Sequence, residues 1–332
     1  MENLVSVLIP CYNGEKFLER FFRCLFEQSY KYLEIIFVND GSKDRSEILA
    51  KKYGKQLEKK GITFTYIYQE NNGAASAINT ALKYVNGEYI MLYDVDDIIF
   101  PDAIKEKVTF LQSNKDYDMV RNNGYIVNNN NLDEVLQLFS ENDYEKNNEY
   151  IFEDLILGKT NNWPASFMIR SGALFKHIKN KEIYISQFGQ NLQVMLPVAY
   201  FGKSGYIDKP LMKYIRHANS HSDFSNKEKR LKLMNGYEEN RVEIIKQLNI
   251  PEEEKEKYFK EIAILYYRIR MQIAYQTKDI ELFKQEYEKL IKSGANNKQD
   301  KELYYRTKSN VYDKFYSLSH RIFNKLKRGI HK

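Results

Sequence analysis

The chain has 332 residues, of which 43% are hydrophobic and 14% aromatic, so it can bury a sizeable core and is not a disordered low-complexity segment. Its two cysteines, Cys11 and Cys24, exclude a disulfide scaffold and fit a reducing compartment. It contains no run of 18 apolar residues and does not begin with a secretory leader. These features predict a cytoplasmic protein.

The net charge of +6 is unevenly distributed along the chain. Residues 303–332 contain eight basic side chains and one acid, whereas residues 1–302 contain 43 basic and 44 acidic side chains. Domains that bind nucleic acid carry clustered basic charge across their binding surface. The nearly neutral body therefore argues against nucleic acid as a partner, and the positive charge belongs to the C-terminal tail.

Strands and helices alternate in the first hundred residues. Apolar or alternating runs predict strands, and apolar residues at helical spacing predict helices. The strands are expected at 4–10, 33–38, 62–68 and 88–93, and the helices at 17–26, 43–60 and 74–85. Asn13 is available to cap the first helix. The alternation predicts a mostly parallel sheet flanked by helices, which binds ligands at the carboxyl ends of its strands.

The pattern changes further along the chain. Residues 117–150 hold few apolar side chains and the asparagine run 128–131, so we predict a surface loop there. A strand is predicted at 165–169 and a helix at 190–200. Beyond about residue 225 helices alone are expected, one of them beginning after Pro251 with three glutamates. We predict an α/β domain over 1–222 and a helical region over 223–332.

Polar, turn-forming residues follow each of the four predicted strands of the first hundred residues. These segments are Pro10-Cys11-Tyr12-Asn13-Gly14, Asn39-Asp40-Gly41-Ser42, Asn71-Asn72-Gly73 and Asp94-Val95-Asp96-Asp97. In an extended segment, residues two apart point the same way, so Asp94 and Asp96 can aim at one point. Two carboxylates suit a hard cation such as Mg²⁺ or Mn²⁺. A helix cap or a solvated turn is the alternative for such an acidic motif.

Over residues 4–222 this set of motifs resembles the family 2 glycosyltransferases, which have the GT-A fold. The resemblance implies an inverting transfer of a sugar from a nucleoside-diphosphate donor, UDP being favoured, to a hydroxyl of a glycan or lipid-linked acceptor in cell-surface polysaccharide synthesis. It implies that Tyr12 lies against the base and that Asp40 accepts a hydrogen bond from uracil. The implied donor-binding residues are Pro10, Tyr12, Asn13, Asp40, Asn71, Gly73, Asp94, Val95 and Arg216. The implied ligands of Mn²⁺ or Mg²⁺ are Asp96, Asp94 and His217.

The catalytic positions depart from the family pattern. Gln190-Asn191 stands where relatives carry Glu-Asp, whose aspartate is the general base. The amide of Asn191 has no basic site, so Gln190 and Asn191 are predicted to orient the acceptor hydroxyl instead. Asp97 matches the family's third acid, with a sugar contact and a cap for the helix beginning at Pro101 as the two alternatives. Arg216 is an alternative to His217 as the partner of the diphosphate.

Two further features have open interpretations. Trp163, the single tryptophan, is predicted to form the floor of the acceptor site or to be a partly buried structural aromatic. In the tail, an apolar stripe at helical spacing is flanked by basic residues, which is typical of helices lying on an anionic membrane. The stripe is Val311, Phe315, Leu318, Ile322 and Leu326. Packing of this stripe on neighbouring helices is the alternative, and a homo-oligomer through the C-terminal helices is a further one.

Two other classes of function are weighed against a transferase. A nucleotidyltransferase would be expected to carry a loop rich in glycine and cations after the first strand, which residues 11–15 do not provide. A non-catalytic nucleotide-sugar or glycan binder is supported by the missing base alone. Retention of all the donor-side acids favours the enzyme.

Overall fold

The computed structural model describes residues 1–217 and 226–308. Nine strands of this part form one sheet, in which the first four strands run parallel and the later ones make the sheet mixed. The strands are β1 (Val5–Cys11), β2 (Leu33–Asp40), β3 (Thr63–Gln69), β4 (Tyr89–Leu92), β5 (Ile98–Ile99), β6 (Met119–Asn128), β7 (Asn131–Leu138), β8 (Phe167–Arg170) and β9 (Ser204–Arg216). Their order is β3-β2-β1-β4-β8-β6-β9-β5, and β7 pairs with β6.

Twelve α-helices are found in the described residues. They are α1 (Glu15–Glu27), α2 (Ser46–Glu58), α3 (Ala74–Leu82), α4 (Ala103–Ser113), α5 (Asp143–Asn147), α6 (Phe152–Ile156), α7 (Ser171–His177), α8 (Leu192–Phe201), α9 (Lys227–Gln247), α10 (Glu252–Thr277), α11 (Ile280–Lys292) and α12 (Lys298–Lys308). The predicted alternation of strands and helices in the first hundred residues is confirmed. None of the described helices is long and apolar enough to cross a membrane.

The apolar runs of β1 and β2 are buried on both faces of the sheet. Val7 and Ile9 belong to the main core cluster, and Leu8 between them is equally buried on the opposite face. Parallel strands need cover on both sides, which explains why these segments are continuously apolar rather than alternating. Because β1, β2, β3 and β4 are parallel, their carboxyl ends share one edge of the sheet.

The prediction of a surface loop over 117–150 is wrong. Residues in this range form β6 and the hairpin strand β7, and the asparagine run supplies the turn between them. Asn123, one of the buried amides that made β6 look like a loop, is satisfied inside the protein, whereas Asn122 Oδ1 has no partner among the described residues. Asn123, which is 2% exposed, donates to Asp208 Oδ1 at 2.9 Å and accepts from the backbone N–H of Gly124 at 2.9 Å. A strand can thus be buried with amide side chains when partners surround them.

The prediction that Asn13 caps the first helix is also wrong. Gly14 precedes α1, and no side chain caps the helix start. Asn13 has a positive φ of 48°, and its side-chain oxygen accepts a hydrogen bond from the backbone N–H of Lys43 at 2.8 Å. Asn13 therefore links the loops after β1 and β2 instead of capping the start of α1.

The described residues form two compact units, 1–217 with 239–251, and 226–238 with 252–308. The first contains the sheet. The described part of the second is helical, and α10 begins directly after Pro251 as predicted. The domain boundary after residue 222 stays a prediction.

A small aromatic cluster forms part of the core of the second unit. Phe283 is fully buried, and Tyr304 of α12 stacks on Tyr287 with ring centroids 4.6 Å apart. Within 303–308, Leu303 and Tyr304 thus pack on neighbouring helices. The apolar stripe from Val311 to Leu326 lies outside the described residues.

Candidate active site

The loops after β1 and β2 are held together by hydrogen bonds. The backbone N–H of Asn13 donates to Ser42 Oγ at 2.9 Å, and that of Gly14 donates to Ser46 Oγ at 2.9 Å. Tyr12 projects from this rim with 52% of its surface exposed. Its ring is therefore available for stacking, as expected for a residue that contacts a base.

Asp40 at the end of β2 organises the neighbouring loop. Its carboxylate accepts hydrogen bonds from Gln69 Nε2 at 2.7 Å and from the backbone N–H groups of Asn72 at 3.0 Å and Gly73 at 2.9 Å. Asn71 returns a bond from Nδ2 to the backbone oxygen of Asp40 at 3.0 Å. The carboxylate is 2% exposed, so its first role is to fix the turn that leads into α3. A bond from uracil to Asp40 stays a prediction.

The four residues Asp94–Asp97, here called the acid loop, follow β4. A turn closes the loop, because the backbone N–H of Asp97 donates to the oxygen of Asp94 at 3.3 Å. Val95 is 8% exposed and packs into the core, so only its backbone faces the rim. Gln190 Nε2 lies 3.5 Å from Asp94 Oδ2, which brings the predicted Gln190-Asn191 segment to the acids. Pro10, at the end of β1, lies on the same rim.

The acid loop concentrates negative charge in a partly buried place. Burial, followed by the charge of Asp96, raises the pKa of Asp94 to about 7. The pKa of Asp97 is also raised well above its usual range by burial and by the charges of Asp96 and Asp94. Both shifts express the same physical fact: carboxylates close together in a low-dielectric site disfavour each other's ionisation unless a cation offsets them.

Asp97 is not the helix cap that one interpretation expected. It is 2% exposed, and its Oδ1 accepts a hydrogen bond from the backbone N–H of Ile215 at 3.1 Å. The residue before α4 is Asp102. Asp97 therefore ties the acid loop to β9 rather than starting the next helix.

His217, at the end of the first described range, lies beside the acid loop. Its Nε2 is 3.3 Å from Asp96 Oδ2 and has no hydrogen-bond partner among the described residues, although it is buried. The ring of Phe17 packs against the imidazole at 5.3 Å. Arg216, its neighbour, is exposed. The structure thus places His217, rather than Arg216, next to Asp96.

Two residues of α1 support this arrangement and were missed in the sequence. Arg20 donates from a guanidinium nitrogen to the backbone oxygen of Asp96 at 2.5 Å, and its guanidinium lies 5.8 Å from the ring of Phe17. The only signal in the sequence was a basic residue one turn after Phe17, on the predicted helix. Its partner is 76 residues away, beyond what local spacing reveals.

The predicted set of three metal ligands is not assembled. In residues 1–217 and 226–308, no three His, Cys, Asp or Glu side chains are arranged to hold a metal ion. Asp96 and His217 do lie together, and His217 Nε2 is an unsatisfied buried nitrogen. Mg²⁺ and Mn²⁺ in transferase sites commonly need one or two protein ligands, with substrate phosphates and water for the remainder. The pair Asp96 and His217 therefore fits a divalent cation, whereas Asp94 is engaged by Gln190.

Asn191 and Trp163 are the two residues that the sequence predicted to contact the acceptor. Asn191 immediately precedes α8, and its side-chain oxygen is buried without a hydrogen-bond partner among the described residues. Trp163 is partly buried, with Phe139 at 4.3 Å and Tyr214 stacked at 5.1 Å. The interpretation of Trp163 as a partly buried aromatic is thus correct, and its role as the acceptor floor stays a prediction.

A mixed sheet whose first four strands run parallel, with helices beside it and with interlocked loops and an acid loop at the carboxyl ends of those strands, is the arrangement of the GT-A fold. The sequence profile of the family described as Glycosyl transferase family 2 matches residues 6–183, more than half of the chain. The chain therefore belongs to this family. This assignment sets aside the nucleotidyltransferase alternative.

Individual relatives match shorter stretches. A glycosyltransferase of Rickettsia typhi is 37% identical over 122 residues, which are 37% of this chain and 36% of that protein. Glycosyltransferase GlyA of Streptococcus pneumoniae is 31% identical over 160 residues, covering 47% of this chain and 22% of that protein. The match thus spans about a third or less of the length of these relatives.

Solved structures show the same fold over nearly the whole chain. TarS 1–349 of S. aureus in complex with UDP-GlcNAc has a TM-score of 0.63 at 17% identity, covering 97% of this chain and 92% of that one. The mannosyltransferase PcManGT of Pyrobaculum calidifontis, in complex with GDP-Man and Mn²⁺, has a TM-score of 0.55 at 14% identity, covering 94% of this chain and 83% of that one.

Proposed function

We propose that the protein transfers a sugar, with inversion, from a UDP-sugar to an acceptor hydroxyl. The observation that carries the proposal is the pairing of Asp96 with the unsatisfied Nε2 of His217, 3.3 Å apart, on the edge where the loops after β1, β2 and β3 interlock. A solved neighbour of this fold holds UDP-GlcNAc, and another holds GDP-Man with Mn²⁺, which supports a nucleotide-sugar donor and a divalent cation.

The donor would bind along the interlocked loops. Tyr12 offers an exposed ring for the base, and Asn13 and Gly14 are held in place by Ser42 and Ser46. Asp40, fixed by three internal hydrogen bonds, shapes the turn beside them. Preformed loops of this kind bind with a smaller loss of conformational entropy than loops that must order.

Asp96 and His217 would hold Mn²⁺ or Mg²⁺. When bound, such a cation neutralises the charge that grows on the leaving diphosphate. Arg20 and Phe17 keep these two residues in place, the first through the backbone oxygen of Asp96 and the second through the imidazole ring. Gln190 steadies Asp94, and the carboxamide of Asn191 can orient the acceptor hydroxyl without taking its proton.

The test is nucleotide binding by Asp96→Asn, measured by calorimetry with UDP, with and without Mn²⁺. We expect the wild-type protein to bind UDP more tightly with Mn²⁺ and the variant to lose most of that gain and most turnover of UDP-sugars, because one charged ligand is removed. Asp143→Asn, at an exposed acid on α5, is the matched control. If Asp96→Asn keeps wild-type turnover and metal response while its circular dichroism is unchanged, Asp96 is not a metal ligand.

The acceptor and its setting are a further part of the proposal. Relatives include a minor teichoic acid biosynthesis protein of Bacillus subtilis, 32% identical over 112 residues, which supports a role in cell-surface polysaccharide synthesis. The eight basic residues of 303–332 would bring the enzyme to anionic membranes, where lipid-linked acceptors reside. Co-sedimentation with anionic and neutral vesicles tests this. The variant for comparison has Lys325, Lys327 and Arg328 changed to glutamate. If the wild type and this variant are recovered equally in the supernatant with both kinds of vesicle, the tail does not bind membranes and is a packing or oligomer element.

A further inference from the structure

Residues 184–191, here called the strap, run from the turn that leads into α3 to the acid loop. Gln187 Nε2 donates to the backbone oxygen of Asn72 at 3.3 Å, and Gln190 Nε2 lies 3.5 Å from Asp94 Oδ2. No residue of the strap is charged, so its position depends on hydrogen bonds and packing rather than on ion pairs. The strap contains the amides that are predicted to orient the acceptor, and its attachments decide where those amides stand.

The end of the strap that leads into α8 is fixed by the helix. Residues 192–199 of α8 are all buried. Gln193, which is 2% exposed, donates from Nε2 to the backbone oxygen of Gly189 at 2.7 Å. Gly189 has φ +98°, a conformation that glycine adopts without strain. This end is therefore held by buried packing and by a hydrogen bond from the helix.

The other end of the strap is held by Asn79 of α3. Asn79 Oδ1 accepts a hydrogen bond from the backbone N–H of Ile183 at 2.7 Å, and Asn79 Nδ2 donates to the backbone oxygen of Ile183 at 2.9 Å. Residues 180–182, which precede Ile183, are exposed. A carboxamide that both donates to and accepts from one residue fixes the position and the orientation of that residue.

The helix that carries Asn79 is joined to the turn that Asp40 fixes. α3 begins directly after Gly73, whose backbone N–H donates to Asp40 Oδ2 at 2.9 Å. The inner face of α3 is buried. The strap is thus attached to this turn and helix at two levels, by the Gln187 bond at the turn and by the Asn79 pair within the helix. Reacting groups are placed most precisely when supporting hydrogen bonds fix them to a rigid element.

We propose that Asn79 is a positioning residue, which holds the strap so that Gln190 stays beside Asp94 and Asn191 stays where it can orient the acceptor. Its hydrogen bonds are made to Ile183, so it acts through the strap. The inference rests on the proposed function and adds a residue outside the donor loops and the acid loop. A displacement of about 1 Å can slow a reaction roughly a hundredfold, so release of the strap should lower kcat.

Asn79→Leu keeps the approximate volume of the side chain and removes both hydrogen bonds. UDP release from UDP-glucose, UDP-galactose and UDP-GlcNAc measures turnover, and we expect kcat to fall roughly ten- to hundredfold. KM for the donor and the calorimetric affinity for UDP with Mn²⁺ should stay unchanged, because the donor loops are fixed independently of the strap. Asn79→Asp keeps the acceptor for the N–H of Ile183 and loses the donor, so its kcat should fall less.

The matched control is Asn114→Leu at the end of α4. It removes the hydrogen bond from Asn114 Nδ2 to the backbone oxygen of Phe110 at 2.8 Å. This change also replaces an asparagine that bonds the backbone, so it should lower stability without lowering kcat per folded molecule. Thermal unfolding of both leucine variants gives the folded fraction by which kcat is corrected.

Hydrogen–deuterium exchange tests the attachment of the strap without turnover. We expect faster exchange across 183–191 in Asn79→Leu, including Phe188, whose N–H donates to Ser186 Oγ at 2.9 Å, because a segment that loses its attachments opens locally. Asn114→Leu should exchange there as the wild type does.

Three results would overturn the proposal. They are unchanged exchange beyond Ile183 in Asn79→Leu, a kcat per folded molecule equal to that of the wild type, and a loss of UDP affinity as large as the loss of kcat. If the wild type turns over none of the three UDP-sugars, it is the proposed function that fails, and the exchange data then decide whether Asn79 holds the strap.

Discussion

A lysine in the core of the sheet-containing unit provides a quantitative test of the packing. Lys107 on α4 is fully buried, and its Nζ donates to the backbone oxygen of Ala103 at 3.1 Å. Burial lowers the pKa of Lys107 from 10.5 to about 7. The unfolded chain keeps the ordinary pKa, so between pH 7 and 10.5 folding must release a proton. We expect Lys107→Met, which keeps the volume and removes the amine, to stabilise the protein.

The size of the effect follows from the shift in pKa. One unit corresponds to about 1.4 kcal/mol, so the shift destabilises the wild type by roughly 4–5 kcal/mol at pH 7. Loss of the hydrogen bond to Ala103 subtracts about 1 kcal/mol from the gain. The variant should therefore exceed the wild type in free energy of unfolding by roughly 3 kcal/mol at pH 7. As the pH rises, the free energy of unfolding of the wild type increases by about 1.4 kcal/mol per pH unit. The difference in stability between the variant and the wild type should therefore nearly vanish by about pH 9.5.

Urea unfolding at pH 7 and pH 9.5, followed by the fluorescence of Trp163, measures this difference in the unit that contains both residues. Lys105→Met, an exposed position on the same helix, is the matched control and should show no pH-dependent gain. Two results would refute the conclusion that the buried amine of Lys107 is neutral. One is a stability difference that stays constant between the two pH values, and the other is a Lys107→Met protein that is less stable than the wild type at both.

Three further predictions follow from particular contacts. Gly41 has φ +72°, and a Cβ there would lie 2.6 Å from the backbone nitrogen of Asn71. Gly41→Ala should therefore weaken UDP binding and lower the free energy of unfolding by about 1–2 kcal/mol or more, whereas Gly172→Ala, where a Cβ meets nothing within 4 Å, should change neither. Calorimetry measures the binding and thermal unfolding measures the stability. Glu286, which is 2% exposed, accepts a hydrogen bond from Arg270 Nε at 2.8 Å. Glu286→Gln should therefore lower the free energy of unfolding by about 2 kcal/mol, whereas Glu281→Gln, at an exposed position, should leave it nearly unchanged. Unfolding followed by circular dichroism measures both. If Asn191 occupies the family's base position, Asn191→Asp should raise turnover and shift its pH optimum. Asn191→Ala should lower turnover less than Asp96→Asn does. Unchanged turnover in both Asn191 variants would contradict that placement.

The parts of the fold that rest on local pattern could be predicted from the sequence. The apolar runs that became β1 and β2, and the acids at the end of β4, follow from periodicity and from the shared edge of parallel strands. β6 was missed because its buried amides read as a polar loop, and their partners lie far along the chain, as Asp208 does for Asn123. Local spacing carries no information on such pairs.

The same limit applies to the site. His217 was identified by its motif, yet its packing against Phe17 required the folded chain. The cap interpretation of Asp97 failed for a related reason, since the backbone group that it bonds belongs to a strand 118 residues later. Asp40 was predicted to contact the donor, and its three internal hydrogen bonds could not be predicted because they depend on how the loops meet in space.

The bond between Asp97 and β9 has a consequence for the order in which the acid loop is completed during synthesis. Strands β1 to β4 and the loops that follow them leave the ribosome first. Ile215, which holds Asp97, and His217, which lies against Asp96, emerge more than a hundred residues later. At about 5–20 residues per second this separates the two events by several seconds or more. A nascent chain that ends before β9 would carry the acid loop without its anchor. The anchored form of the acid loop is thus tied to translation of β9 rather than to formation of β1 to β4.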